Sequence, residues 1–166
     1  MHEVQQLLIY SWQRTGEQML RLIQDIPPAI ITQQPAGLLN HPAWTVAHLC
    51  HYHPAIISLL QGKTVDDPAK APNAERFDEG SVPVSDPDAY PSHEELMKQY
   101  TTGHAKVLAA LNQTQDNILA KPAGLERWAR SFASTADVLH YLMIMHESQH
   151  AGQIMSWRRL QGISLA

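Results

Sequence analysis

The stretch STADVLHYLMIMHESQHAGQIMSWRRL, residues 134–160, decides how this chain folds. Leu139, Leu142, Met143, His146, His150, Ile154 and Trp157 recur within it at spacings of three and four, which places them on one face of a helix. Ser134 stands where an N-cap is needed, and Gly162 follows the last periodic residue. A helix of this length with one apolar face needs partners to cover it.

Three further segments supply the same periodicity, and none carries sustained strand alternation. Val4, Leu8, Trp12, Met19 and Ile23 predict a first helix from about Val4 to Ile23, stopped by Pro27-Pro28. A second helix is predicted to begin at Pro42, a residue favoured at the first helical position, and to continue through Trp44, Val46, Leu49, Ile56, Ile57 and Leu60 to Gly62. Pro54 lies inside it and predicts a kink or local break. Ser92 and Glu95 fit a capping box for a third helix, whose inner stripe is Leu96, Tyr100, Val107, Leu111 and Ile118, ending at Lys121-Pro122. The expected fold is therefore all-α: a four-helix bundle, one domain over residues 1–166, with a long loop between helices 2 and 3. That loop, from about Gly62 to Pro91, is rich in Pro, Asp and Gly; its length allows helices 2 and 3 to run parallel and suggests a functional segment.

Composition narrows the function. The chain has 166 residues, 44% of them hydrophobic and 17% charged, a globular balance. Sixteen acidic residues against 12 basic ones give a formal charge of −4, which argues against nucleic acid as a partner. No apolar run approaches the roughly 20 residues of a membrane span. The N-terminal residues lack the pattern of a secretory signal, so a cytoplasmic protein is the expectation. The single Cys excludes an internal disulfide framework. Histidine, at 10 residues, is over-represented.

His146 and His150 are one helical turn apart on the apolar face, so both imidazoles are predicted to point into the bundle. A buried imidazole needs partners for both ring nitrogens, and a shared metal ion or carbonyls and water can supply them. From the second helix His48 is the best inward candidate, with His51 in reserve and His53 exposed or at the kink. A site of His48, His146 and His150 would leave coordination positions open, as catalytic metals require. Neutral imidazole suits Zn, Ni, Fe or Cu. His104 is a candidate fourth ligand or supporting group, whereas His2, His41, His93 and His140 are expected to be solvated or at helix ends. Cys50 reads as a small core residue.

His146-Glu147-Ser148-Gln149-His150 also spells H-E-x-x-H, the zinc-peptidase string. Those enzymes take a third ligand from downstream, and no His, Asp or Glu follows His150. A third ligand must come from upstream. Glu147 is turned by about 100° from His146 around the helix, so it reads as a flanking or supporting residue.

Trp44-Thr45-Val46-Ala47-His48-Leu49 resembles the W-x-x-x-H-L pattern of the DinB-like (DinB/YfiT) superfamily. His146-Glu147 and His150-Ala151-Gly152-Gln153-Ile154, followed by Arg158, are similar to that family's last helix, and residues 80–92 to its long loop. The resemblance implies a four-helix bundle, three His ligands at His48, His146 and His150, an association with Zn, Ni or Fe, and a homodimer. It also implies metal-dependent transferases and isomerases that use a low-molecular-weight thiol, or stress-induced proteins without a settled activity.

The leading expectation is thus a metal-dependent enzyme of thiol S-transferase type acting on a small-molecule substrate. A water-activating hydrolase and a non-catalytic metal- or small-molecule-binding stress protein are the alternatives. A divalent cation with open positions can lower the pKa of a bound thiol, activate water or polarise a carbonyl. With one Cys in the chain, the thiol would be a diffusible cosubstrate. Tyr52 and Gln153, each one turn from a candidate ligand, are expected to hold substrate or ligand, as is Glu147 in a supporting role. Asp78, Glu79 and Ser81 are loop candidates for gating or proton transfer. Arg158 and Arg159 are candidates to attract an anionic thiol or to complement the helix C-terminus.

Overall fold

The computed structural model describes residues 2–164, which form helices and connections with no strand among them. The helices are α1 (His2–Ile23), α2 (Pro42–Leu60), α3 (Ala74–Phe77), α4 (His93–Gln113), α5 (Asp116–Leu119), α6 (Glu126–Ala129), α7 (Thr135–His140) and α8 (Glu147–Leu160). A π-helical turn, Tyr141–His146, joins α7 to α8, so the chain is helical without interruption from Thr135 to Leu160.

Side-chain capping starts the long helices. Ser134 and Asp137 form a complete capping box at α7, while at α4 Ser92 Oγ accepts from Glu95 N without the reciprocal half. Pro42 occupies the first position of α2 and His41 Nδ1 accepts from Trp44 N at 3.3 Å. The helix runs unbroken through Pro54, contrary to the break expected there. Pro54 is exposed, so its ring meets solvent rather than packed neighbours. Val4, placed on the inner stripe of α1 by its spacing, is 42% exposed. The predicted third helix is also cut short. Thr114 turns extended, its Oγ1 donates to Leu60 O at 2.5 Å, and Ile118 falls in the separate α5. The connection between α2 and α4 is long but not structureless, holding α3 and 3-10 turns at Pro68–Lys70 and Pro87–Ala89.

Hydrogen bonds between helix ends fix the topology. His93 Nε2, starting α4, donates to Ile23 O at the end of α1 (3.0 Å), and Gln5 Nε2 donates to Leu111 O (2.7 Å), so α1 and α4 are antiparallel. Thr114 and Leu60 bring the ends of α4 and α2 together, and Gly103 meets His53 midway, so those two run parallel. Arg158 Nη1 of α8 donates to Leu22 O at the end of α1 (2.8 Å), making α1 and α8 parallel. The four long runs therefore go up, down, down, up.

Two apolar clusters fill the bundle. One gathers Leu8, Trp12, Ile56, Val107, Leu111 and Leu139; the other gathers Met19, Ile23, Val46, Leu96, Ile154 and Trp157. The level at which each helix passes from one cluster to the other is polar. There α1 carries Thr15 and Gly16, α2 His48 and His53, α4 Gly103 and His104, and the last helix His146, Glu147 and His150. Polar groups in such a layer must satisfy one another or bind something.

Candidate metal centre

On one side of this layer three imidazoles meet. His48 Nε2 lies 2.9 Å from His146 Nε2, which lies 3.0 Å from His150 Nε2, and all three nitrogens fall within 4.8 Å of one another. The outer nitrogens show which atoms carry the protons. His48 Nδ1 donates to Phe77 O at 2.7 Å, and His150 Nδ1 donates to Gln153 Oε1 at 2.8 Å. In the neutral tautomers these bonds enforce, the Nε2 lone pairs of His48 and His150 point at the shared centre. That donor set fits a divalent transition metal, whose ligating imidazoles have their other nitrogen tied to an acceptor.

Electrostatics favour the same state. Burial pushes the His48 imidazole down to about 4, with His150 adding to the effect, and pushes His146 down to about 3. His150 is lowered by burial against the opposing bond to Gln153. All three are neutral ligands at pH 7 without deprotonation work.

The last helix and α2 aim these rings. The π-helical turn Tyr141–His146 widens the backbone immediately before the first ligand candidate, a feature found mostly at functional sites. Tyr141 lies nearly parallel to the His146 ring, with centroids 5.8 Å apart at 21°. On α2, Trp44 stacks on His48 (4.5 Å, 18°), and its indole N–H donates to Arg76 O (2.9 Å) and Ser81 Oγ (3.2 Å). The connection between α2 and α4 is thereby drawn over the site, and its Phe77 carbonyl becomes part of it.

Tyr52 and Asp78 extend this anchorage. The Tyr52 hydroxyl donates to Asp78 Oδ1 at 2.6 Å and accepts from Glu79 N at 3.3 Å. Asp78 is buried, which alone would raise its pKa, but the Tyr52 hydroxyl and the Arg127 guanidinium hold it below the usual carboxylate value. Arg127 reaches Asp67 at 3.0 Å and Asp78 at 3.3 Å, fastening the segment around α6 to the connection between α2 and α4. A cavity of about 640 Å³ opens above the three imidazoles, between that connection, α6 and the π-helical turn.

Several expected residues lie elsewhere. His51 Nε2 donates to Pro68 O at 3.1 Å and stays outside the triad. His104 stacks on Trp12 (3.9 Å, 6°) on the opposite side of the layer, so it is no fourth ligand. His53 is buried rather than exposed, fitted edge-on to Trp12 and against Gly103. His41 is at a helix end as expected but fully buried, bonding Val84 O through Nε2 (3.0 Å). Arg158 is buried and pairs with Asp25 through both amino groups (2.6 and 2.8 Å), which leaves it no part in attracting a thiol. Gln153 holds a ligand candidate rather than substrate: its Oε1 also accepts from Asn40 Nδ2 at 2.9 Å. Glu147 turns away from the cavity, accepts from the Tyr100 hydroxyl, and is raised by burial to about 7 against that bond.

Phe77, Asn40, Tyr141, Arg127 and Trp128 were not legible as site residues. A backbone carbonyl such as that of Phe77 carries no side-chain signal; Asn40, Arg127 and Trp128 sit on segments whose approach to the His cluster is tertiary, and Tyr141 meets His146 only because the helix widens between them.

The family model described as the DinB superfamily matches residues 11–154. The chain belongs to the DinB superfamily. Among solved structures, a Streptococcus pneumoniae protein determined by a structural genomics consortium superposes with a TM-score of 0.70 at 15% identity, covering 94% of this chain and 91% of that one. At that identity the likeness concerns the fold of this DinB-superfamily chain. No curated protein matches it.

Proposed function

We propose that this chain is a metal-dependent enzyme in which His48, His146 and His150 hold a divalent ion, Zn, Ni or Fe, and that it joins a small diffusible thiol to an electrophile. The observation that carries the reading is the convergence of the Nε2 atoms on the floor of an open cavity, with two of the opposite nitrogens tied to acceptors. Three protein ligands leave positions for a substrate atom, unlike a closed structural site. A bound divalent ion would lower the pKa of a coordinated thiol toward neutrality.

The chain's own residues do the remaining work. Phe77 O and Gln153 Oε1 hold the tautomers, and Trp44 fixes the plane of His48. Burial and the Asp78 carboxylate raise the Tyr52 pKa well above its ordinary value, so its hydroxyl stays protonated beside the cavity. The thiol proton leaves to solvent, the sulfur forms a bond to the electrophilic carbon, and the leaving group departs with the bonding electrons. Cys50 is not the sulfur source. Burial, with Glu147 nearby, pushes its thiol up to about 12, and it lines a groove between α2 and α4 instead. Glu147, the presumptive base of a peptidase reading, faces Tyr100 and not the cavity, so nothing in its placement supports that chemistry.

The test follows thiol consumption with 1-chloro-2,4-dinitrobenzene, across several low-molecular-weight thiols, with metal-loaded protein. Turnover that needs both metal and thiol and is lost in His146→Ala supports the reading. Turnover that needs metal without thiol would replace it with hydrolysis, and silence with every thiol would replace it with a binding role.

A further inference from the structure

The cavity above the three imidazoles has one wall that the proposed chemistry does not use. Beyond His146 the aromatic faces continue outward: Tyr141 lies nearly parallel to His146, and Phe132 follows at 5.2 Å from Tyr141. Trp128 lines the same wall, with the Arg127 guanidinium 5.7 Å from its ring centroid, and Met145 stands at the rim, 55% exposed. An exposed Met at the mouth of an aromatic wall is a soft, adaptable contact surface. These residues come from α6, the segment after it and the π-helical turn, so the wall is separate from the elements that carry His48.

The charges around the mouth point the same way. Arg127 is the cation of the lining, and it is already held by Asp67 and Asp78. Glu79 adds a third carboxylate at the rim. Arg127 thus has its charge met within the protein, and the aromatic wall rewards a flat apolar body. A cavity of about 640 Å³ accommodates a body of one or two fused rings.

We infer that the electrophilic substrate has an aromatic or similarly flat apolar body, bound on the wall of Trp128, Phe132 and Tyr141. This rests on the metal-site reading and specifies its substrate class.

The experiment compares two unreactive probes that share a hydroxymethyl group and a two-ring body, flat 2-naphthalenemethanol and its saturated counterpart decahydro-2-naphthalenemethanol, by calorimetric titration of metal-loaded protein, with metal content measured on the same samples. The naphthyl probe is expected to bind at least about threefold more tightly, since only a flat ring stacks on the wall. Phe132→Ala, at a partly buried position, weakens the naphthyl probe and narrows the gap. Equal or tighter binding of the saturated probe to the wild-type protein would overturn the inference, as would unchanged naphthyl affinity in Phe132→Ala. Loss of the metal premise would register separately, as absent metal in samples whose probe preference is still measured.

Discussion

Replacing Gln153 by Leu removes one oxygen that two donors share. Gln153 Oε1 accepts from His150 Nδ1 at 2.8 Å and from Asn40 Nδ2 at 2.9 Å, and His150 is only 5% exposed. Leu keeps most of the bulk and the helix propensity of Gln, so the perturbation is mainly the loss of the acceptor. Without the acceptor, His150 loses the bond that keeps its proton on Nδ1, and the tautomer with a proton on Nε2 competes for the centre. Loss of an orienting partner of this kind lowers metal affinity by about 10- to 100-fold, or about 1.4–2.7 kcal/mol. The stranded donors lower the stability of the metal-free protein by about 1–3 kcal/mol. Gln153→Glu restores an acceptor, and a charge-assisted one, so its affinity is expected to equal or exceed wild type. Competition against a chelator of known affinity measures the first quantity, and urea unfolding the second. Wild-type affinity in Gln153→Leu, or equal losses in the Leu and Glu variants, would refute the role assigned to this residue.

The opposite side of the polar layer yields a steric prediction. A Cβ on Gly103 would lie 2.0 Å from His53 Nδ1, so Gly103→Ala should cost about 1–3 kcal/mol in urea unfolding despite the better helix former. Gly152→Ala, with nothing within 4 Å of its Cβ and also in a helix, should gain up to about 1 kcal/mol, and the same sign for both would refute the close fit. Acidification supplies a third prediction. His41, His48, His53, His104, His146 and His150 are all held below 6.5 with burial as the main cause, His48 and His104 at about 4 and His53 and His146 at about 3. The unfolded chain takes up those protons first, so this stability is full above pH 6.5 and is lost as pH falls toward 4 and 3, at up to about 1.4 kcal/mol per unit for each group. Glu147, raised to about 7, acts oppositely: its contribution is full below 4.5 and is lost as pH rises through 7. Metal-free protein should therefore be most stable near neutrality and weaken steeply from pH 6.5 to 5, and a flat urea midpoint over that range would contradict the burial assigned to these rings.

How far the sequence was readable follows from what each kind of residue signals. Helix faces repeat, so Leu139, Met143, Ile154 and Trp157 marked the core face, and His146 and His150 shared it. His48 could be preferred over His51 and His53 because its helical neighbours are apolar. The fate of His53 and His104 was not legible, since each depends on a missing side chain on another helix: the Gly103 and Gly16 positions leave the room that the two rings occupy. The same limit hid Phe77, whose contribution is a carbonyl, and Arg127, whose meaning depends on Asp67 and Asp78 from a distant segment. The π-helical turn has no sequence mark in this chain, because Tyr141 to His146 are ordinary helix residues.

The central claim, that His48, His146 and His150 form one metal site, is tested most directly by the metal content of protein purified without an affinity tag. The account predicts one equivalent of a divalent transition metal per chain, retained through gel filtration, and its loss in each of His48→Ala, His146→Ala and His150→Ala while His51→Ala and His104→Ala keep it. Protein that takes up no transition metal on addition, or three single variants that all retain it, would contradict the account.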